Sequence, residues 1–232
     1  MLSLDQKNYI SNFIKEVYVI NLPHRTDRLD SITKEISKFY NKNFDIINGI
    51  RFDNLHFMSG RAGNSAAMCR ALTSAYDAGL DNFLLLEDDA YFIDDRLSTI
   101  YNACKDLSKI NWDILFLGAR VKSPMYKMTD NLFRISDFGC QHAVLYNKKV
   151  IGYILSLLPK WDAGYDVWMN WVLKYECYDK WVSETLGRNA DFFIFHTREL
   201  VALQTANFSD INQCESDGRQ ILENDFNKNK PI

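Results

Sequence analysis

The chain of 232 residues is 47% hydrophobic and 25% charged, which is typical of a globular protein with enough apolar side chains for a sizeable core. Its formal net charge of −3, without any lysine-rich block, excludes a nucleic-acid-binding protein that relies on a basic surface. The five cysteines are widely spaced without a C-x-x-C pair, which argues against a zinc site and favours reduced thiols in a cytosol-like compartment.

The first residues show no apolar signal-peptide core, and no apolar stretch approaches the roughly 20 residues of a membrane span. We therefore expect a soluble cytoplasmic protein, while peripheral contact with a membrane stays open. The lysine- and asparagine-rich composition is typical of an AT-rich bacterial or viral genome. In the viral case the compartment would be the host cytoplasm.

In chain order, the first half alternates between predicted strands and predicted helices. The strands are rich in β-branched and aromatic residues, and the helices show apolar residues at helical spacing. The predicted strands are 16–22, 44–47, 83–87 and 113–117. The predicted helices are 27–40, 64–78 and 94–107, with a loop over 48–62. This alternation predicts a single α/β domain whose mostly parallel central sheet is flanked by helices.

The second half is less regular. Residues 121–137 are mixed and polar, which indicates a hairpin or a lid. Further strands are predicted at 141–146 and 192–195, and further helices at 148–158 and 167–175. From Cys214 onward the chain is polar, so we expect one domain over residues 1–213 and a polar tail or helix over 214–232.

The sequence Phe83–Asp89, F-L-L-L-E-D-D, is a buried-type strand that runs straight into three acids. A continuous apolar run of this kind suits a strand that is covered on both faces, and ligands of open α/β sheets collect at the carboxyl ends of such strands. Three adjacent carboxylates repel one another unless water or a cation neutralises them, and oxygen ligands suit Mg²⁺ or Mn²⁺. The triplet alone is equally typical of an exposed acidic turn.

A second polar cluster follows the first predicted strand, in N-L-P-H-R-T-D-R at residues 21–28. Arg25 and Arg28 stand at the tip of this strand and the start of the next helix, where a helix N-terminus and arginine forks favour phosphate. The alternative is a solvated helix start in which Asp27 and Arg28 make ordinary surface pairs. Both this tip and the acidic strand end are expected at the carboxyl edge of one sheet.

Four sequence blocks resemble glycosyltransferase family 25, which includes lipooligosaccharide and collagen galactosyltransferases. They are V-I-N-L-P-H-R-T-D-R-L, L-L-L-E-D-D-A, W-D-I-L-F-L-G at 112–118 and Q-T-A-N-F-S-D-I at 204–211, in the same order as in that family. The resemblance covers about residues 15 to 212. It implies a GT-A (Rossmann-like) fold, a UDP-sugar donor, a divalent Mn²⁺ or Mg²⁺ ion held by the acidic block, and inversion at the anomeric carbon.

The resemblance also implies roles for residues of the first two blocks. Asp89 would be the foremost metal ligand, and Glu87 or Asp88 would face the ribose or the hydrated ion, with Glu87 a further candidate ligand. Arg25 and Arg28 would contact the nucleotide. The backbone groups at the end of the first strand would shape the base pocket; these residues are Asn21 and Leu22.

Other candidates lie outside those two blocks. The family often has a Ser-His pair before the acidic strand, where this chain has A-A-M-C-R-A, so Arg70 could replace the histidine as a cation. His142 matches a family stretch near the acceptor or the donor sugar. His196, at a strand end, is either a further metal ligand or a structural histidine. Gln204 belongs to the fourth block and either closes over the donor or caps a turn, whereas local backbone bonding is the simpler role for Ser209 and Asp210.

Asp166, in W-D-A-G-Y-D-V-W-M-N-W, is the candidate general base. It stands at a predicted helix start and is flanked in sequence by the aromatic residues Trp161, Tyr165, Trp168 and Trp171. A carboxylate within hydrogen-bond reach can accept the proton of an attacking hydroxyl. The alternatives are a helix N-terminal residue that satisfies backbone donors, and Asp162 as the base.

Together these observations predict a metal-dependent enzyme that transfers a hexose, galactose or glucose, from a UDP-sugar to a hydroxyl of a glycan such as lipopolysaccharide. Two alternatives stay open. A sugar nucleotidyltransferase would share the sheet, the acids and the basic phosphate contacts, but its N-terminal phosphate loop is usually rich in glycine, and N-L-P-H-R-T-D-R has none. A binding module would keep the fold without turnover.

Overall fold

The computed structural model describes residues 1–52, 58–187, 189–205, 207–209, 214–216 and 219–230. The described helices are α1 (Leu4–Phe13), α2 (Thr26–Ser37), α3 (Ser59–Asp77), α4 (Leu97–Leu107), α5 (Lys148–Leu157), α6 (Tyr165–Tyr175), α7 (Tyr178–Val182) and α8 (Arg219–Asn229). The described strands are β1 (Val17–Asn21), β2 (Asp45–Asn48), β3 (Asn82–Glu87), β4 (Ala90–Phe92), β5 (Ile114–Val121), β6 (Tyr126–Lys127), β7 (Leu132–Arg134), β8 (Phe138–Asn147), β9 (Ile194–Thr197), β10 (Ala202–Gln204), β11 (Asn207–Ser209) and β12 (Cys214–Ser216).

Eight of these strands form one central sheet in the order β2-β1-β3-β8-β5-β9-β7-β6, so the predicted α/β fold with a large sheet is confirmed. The prediction of a mostly parallel sheet was wrong for the second half of the chain. Strands β2, β1 and β3 are parallel neighbours, and β5 is parallel to β9. However, β8 is antiparallel to both β3 and β5, and β7 is antiparallel to β9.

The antiparallel insertion has a physical cause in the connection between β5 and β8. A parallel return to the same sheet needs a crossover, usually a helix. Residues 121–137 instead form the short β6–β7 hairpin at the sheet edge, and the chain comes back along β5 in the reverse direction. The result places the start of β8, near Gly139, beside Arg120 at the far end of β5.

Helices cover both faces of the sheet, as the apolar run of β3 predicts. Phe83 and Leu85 belong to the core cluster on the side of α3, α5 and α6, whereas Leu84 and Leu86 belong to the cluster on the side of α1, α2 and α4. All four side chains are at most 2% exposed. Because successive strand residues point to opposite faces, only a strand buried on both sides is apolar throughout.

Two terminal helices complete the layers. The sequence analysis placed no element over residues 4–13, but α1 forms there with a capping box between Ser3 and Gln6. At the other end, α8 buries Leu222 and Phe226 in the α3-side core. The side-chain amide of Asn229 donates to the carbonyl oxygen of Val121 at 3.0 Å, so α8 is anchored to the end of β5. Across the described residues, no helix combines the length and the apolar character needed to cross a bilayer.

Candidate active site

The tips of β1 and β3 lie side by side at the carboxyl edge of the sheet, as the sequence predicts. The strands pair in parallel with Ile20 opposite Glu87. The chain then turns through Asp88 and Asp89 into β4, and β4 pairs with β10 so that Ala90 is opposite Gln204. The acidic block, the loop after β1 and the C-terminal block of the sequence therefore meet at one edge.

Arg28 forms a buried ion pair with the acidic turn. Its Nη1 atom donates to Asp88 Oδ1 at 2.8 Å and lies 3.6 Å from Asp89 Oδ2. The side chains of Arg28 and Asp88 are 10% and 9% exposed, so the alternatives of a solvated acidic turn and of an ordinary surface pair made by Arg28 were wrong. Asp27 instead pairs with Arg25, through Nε and Nη2 at 3.0 Å each.

The acids of this edge carry more negative charge than Arg28 offsets. Burial raises the pKa of Asp88 to about 6, although the charge and hydrogen bond of Arg28 oppose that rise. Burial also raises the pKa of Glu87 well above its usual value, and the charges of Asp89, Asp179 and Asp88 add to the rise. Carboxylates in this arrangement are stabilised by protons or by a cation.

Glu87 and Asp89 both face the side-chain amide of Gln204. Gln204 Nε2 donates to Glu87 Oε2 at 2.9 Å and lies 3.5 Å from Asp89 Oδ1. The other oxygen of Glu87 lies 3.5 Å from the amide nitrogen of Asn64 on α3. Two carboxylates that share one donor leave a place between them where a positive charge is favourable.

This donor set fits a hard divalent cation of the kind that substrate helps to hold. All candidate ligands are carboxylate oxygens, and Mg²⁺ is usually bound by one or two carboxylates together with substrate phosphates. Within the described ranges, no group of three His, Cys, Asp or Glu residues is arranged to hold a metal ion by itself. Glu87 and Asp89 would therefore hold the ion only in combination with a ligand.

Asp179 is a site residue that the sequence analysis missed. It lies in the first turn of α7 and accepts from the amide of Gln141, two positions before Ala143, which is the partner of Leu86 at the end of β3. Its charge adds to the raised pKa of Glu87. Burial raises the pKa of Asp179 itself. The stretch C-Y-D-K-W contains a single acid without a recognisable motif. Only the packing of α7 against β8 brings it to the acidic edge, the sheet edge that carries Glu87, Asp88 and Asp89.

The two strand histidines are buried behind this edge. His142 on β8 is 0% exposed, and its ring nitrogens lie 3.0 Å from the carbonyl oxygens of Cys140 and Ala202. His196 on β9 is also 0% exposed, with Nδ1 2.7 Å from the carbonyl oxygen of Thr197. Burial lowers the pKa of both, that of His196 to about 4. In the described part of the chain, His196 forms no metal-holding group with Glu87 and Asp89.

The end of β1 is closed by backbone hydrogen bonds. The carbonyl of Asn21 accepts from the amide of Gly49 at 2.8 Å, and the carbonyl of Leu22 accepts from the amide of Arg25 at 2.8 Å. Asn21 Nδ2 also donates to the carbonyl of Leu22 at 3.0 Å, while its Oδ1 atom is buried and has no hydrogen-bond partner among the residues that the structure describes. Of the backbone groups expected to shape a base pocket, the carbonyls of Asn21 and Leu22 thus already accept hydrogen bonds within the chain.

Arg70 and Asp166 lie on the neighbouring helices α3 and α6. The guanidinium of Arg70 stacks over the ring of Trp161 at 4.7 Å. Asp166 is exposed in the first turn of α6, after Gly164 with φ +85°. Two of the aromatic residues expected beside it, Trp168 and Trp171, are buried in the core instead.

Comparison with known proteins does not show a family. No protein-family model and no curated protein matches this sequence. Solved structures with a distantly similar fold include a glycosyltransferase involved in glycosylation of the major capsid of PBCV-1 (13% identity, 69% of this chain and 74% of that chain, TM-score 0.39). Others are A197 from STIV (9% identity, 82% and 85%, TM-score 0.47) and the inositol-1-phosphate CTP transferase from T. maritima (12% identity, 98% and 85%, TM-score 0.43).

Proposed function

We propose that this chain is a glycosyltransferase that moves a hexose from a UDP-sugar to a hydroxyl of a glycan. The observation that carries the proposal is the convergence of Glu87 and Asp89 on Gln204 at the carboxyl end of β3. This pair of carboxylates suits a Mn²⁺ or Mg²⁺ ion whose remaining ligands are diphosphate oxygens. The resemblance of the four sequence blocks to glycosyltransferase family 25 supports the same reaction.

In this proposal, the chain binds and orients the donor from two sides. Glu87 and Asp89 would hold the ion, which when bound would supply charge stabilisation to the leaving diphosphate. Arg25 lies beside the nucleotide at the tip of β1. Arg28 acts mainly by holding Asp88 and the acidic turn in place, since its Nη1 already donates to Asp88.

The acceptor hydroxyl has to lose a proton as it attacks the sugar, and we assign that proton to Asp166. Its carboxylate is exposed at the start of α6, so an acceptor can reach it. Arg70 lies on α3, which packs against α6, with its guanidinium over the ring of Trp161, and it would face the donor or the acceptor. Direct displacement by the activated hydroxyl would invert the anomeric carbon.

The test is a product assay across UDP-hexoses with Mn²⁺, run beside an assay of UTP with hexose 1-phosphates. Release of UDP supports the proposal. Pyrophosphate from UTP and a sugar phosphate would show a sugar nucleotidyltransferase instead, although the loop after β1 contains no glycine to wrap a phosphate. Neither product, with binding of UDP retained, would show a non-catalytic binding module.

A further inference from the structure

Asp179 is held by backbone groups at the start of β8. Its Oδ2 atom accepts from the amide of Gln141 at 3.1 Å, and its own carbonyl oxygen lies 3.5 Å from Gln141 Nε2. Gln141 is 3% exposed. The two residues therefore clasp each other through both main chain and side chain, which fixes the direction of the carboxylate.

The clasp is extended by a chain of buried hydroxyl groups. Tyr146 donates its hydroxyl to Gln141 Oε1 at 3.0 Å, and the hydroxyl of Tyr178 lies 3.4 Å from that of Tyr146. The amide of Tyr178 donates to Ser65 Oγ at 3.2 Å, which joins the network to α3. Both tyrosines are at most 1% exposed. Buried networks whose members are satisfied specify one arrangement of their side chains.

The clasped carboxylate keeps acceptor capacity for a ligand. Backbone amides of Gln141 and Cys140 donate to Asp179, which leaves part of the capacity of its two oxygens unused, and the residue is half-buried. A carboxylate can accept at both oxygens, and a largely buried one is costly when it is left unsatisfied. The site thus presents a fixed acceptor that a ligand can use.

The charge of the surroundings decides which ligand group fits. Asp179 is held at the start of β8, next to the acidic end of β3, and its charge adds to the raised pKa of Glu87, so an anion that no cation accompanies would be repelled there. A hydroxyl group donates a charge-assisted hydrogen bond to a carboxylate without this repulsion. Building on the glycosyltransferase function proposed above, we propose that Asp179 binds a hydroxyl group of the hexose being transferred and sets the sugar specificity of the enzyme.

Gln141 and Tyr146 are then positioning residues for this contact. Neither carries a charge; Gln141 contacts Asp179 directly, and Tyr146 is linked to it through Gln141. Removal of the Tyr146 hydroxyl would leave Gln141 Oε1 without its donor and loosen the clasp. We expect kcat/KM for the UDP-hexose to fall in a Tyr146 variant as in an Asp179 variant, by a smaller factor.

The experiment compares Asp179→Asn with Glu176→Gln, an equal loss of charge at an exposed residue three positions earlier. We expect kcat/KM for the UDP-hexose to fall about 10- to 100-fold in Asp179→Asn, as for loss of a hydrogen bond to a charged group, while the Kd of UDP alone stays within about twofold. Glu176→Gln should keep both values. A donor that lacks the contacted hydroxyl should be used equally well by wild type and Asp179→Asn.

Several outcomes would overturn the inference. Unchanged kcat/KM in a folded Asp179→Asn would remove Asp179 from the sugar site. Loss of the Mn²⁺ dependence of UDP binding would make Asp179 a metal ligand instead. If Asp179→Asn does not fold, Tyr146→Phe provides the same comparison, and an unchanged sugar specificity there would count against the proposal. Failure of wild type to release UDP from any UDP-hexose would contradict the proposed function itself, and this result is distinct from the outcomes that concern Asp179.

Discussion

Arg28 Nη1 lies 2.8 Å from Asp88 Oδ1, and this ion pair joins the first turn of α2 to the acidic turn between β3 and β4. The two residues are 60 positions apart in sequence. A buried pair of this kind contributes little net stability compared with apolar residues, but loss of one partner leaves the other charge buried and uncompensated. Its value to the protein is that it fixes where the acids lie.

Replacement of Arg28 by methionine should therefore destabilise the fold, by about 3 to 5 kcal/mol. The measurement is the free energy of unfolding in urea at pH 7. The matched control is Lys127→Met, because Lys127 pairs with Asp130 at an exposed position and should change stability little. The double variant Arg28→Met with Asp88→Met should recover most of the loss. An Arg28→Met protein as stable as wild type would show that the pair is not buried in solution.

The raised pKa of Asp88 predicts a pH dependence of stability of definite sign. A carboxyl whose pKa is higher in the folded than in the unfolded state binds more protons when folded, so its contribution to stability falls as pH rises. For Asp88 the window runs from its ordinary value of 3.8 to about 6. Without added metal, wild type should lose stability relative to Asp88→Asn as pH increases through this window. Parallel unfolding curves for the two proteins would contradict the assignment.

Gly118 on β5 is predicted to tolerate no side chain. A Cβ atom there would overlap the carbonyl oxygen of Ala202 and Nε2 of His142, so His142 can bridge β8 and β10 only beside a glycine. Gly118→Ala should lower the free energy of unfolding by about 1 to 3 kcal/mol or more. The control is Gly152→Ala in α5, whose Cβ would meet Tyr76 at an ordinary 3.4 Å and should stabilise the helix by about 0.5 to 1 kcal/mol. Equal stability of the two variants would refute the close approach.

The metal proposal predicts that UDP binding depends on the cation. Calorimetry should give a much lower affinity for UDP with a chelator than with Mn²⁺, because Glu87 and Asp89 would hold the ion, which would supply positive charge to the diphosphate. Glu87→Gln and Asp89→Asn should each remove most of this difference. Asp130→Asn, at an exposed surface position, should keep it. Equal UDP affinity with and without chelator in wild type would exclude a bridging ion.

Asp166→Asn should abolish transfer while leaving metal-dependent UDP binding intact. Removal of a general base typically lowers the rate by about 10² to 10⁴-fold, whereas the nucleotide site lies on other elements. The measurement is kcat beside the Kd of UDP. Asp162→Asn is the comparison, since Asp162 is also exposed and only four residues away. Wild-type turnover in Asp166→Asn, with loss in Asp162→Asn, would transfer the role to Asp162.

Short-range sequence patterns were sufficient to predict much of the fold. The strand β3 with its acidic end, the alternation of strands and helices through β5, and the meeting of the β1 and β3 tips all follow from short-range signals, because apolar periodicity reports burial and parallel strands share one carboxyl edge. The direction of β8 did not follow, because it depends on whether the chain between β5 and β8 makes a crossover.

The composition of the candidate site was decided by packing across long sequence distances. Arg28 could be read from sequence as a surface residue or a phosphate ligand, and only the docking of α2 against β4 turns it toward Asp88. Asp179 lies in no recognisable sequence motif. It lies near Glu87 because α7 packs on β8 and the amide of Gln141 donates to its carboxylate. A sequence shows which side chains have the right chemistry, but the convergence of charges at one point is a property of the assembled sheet.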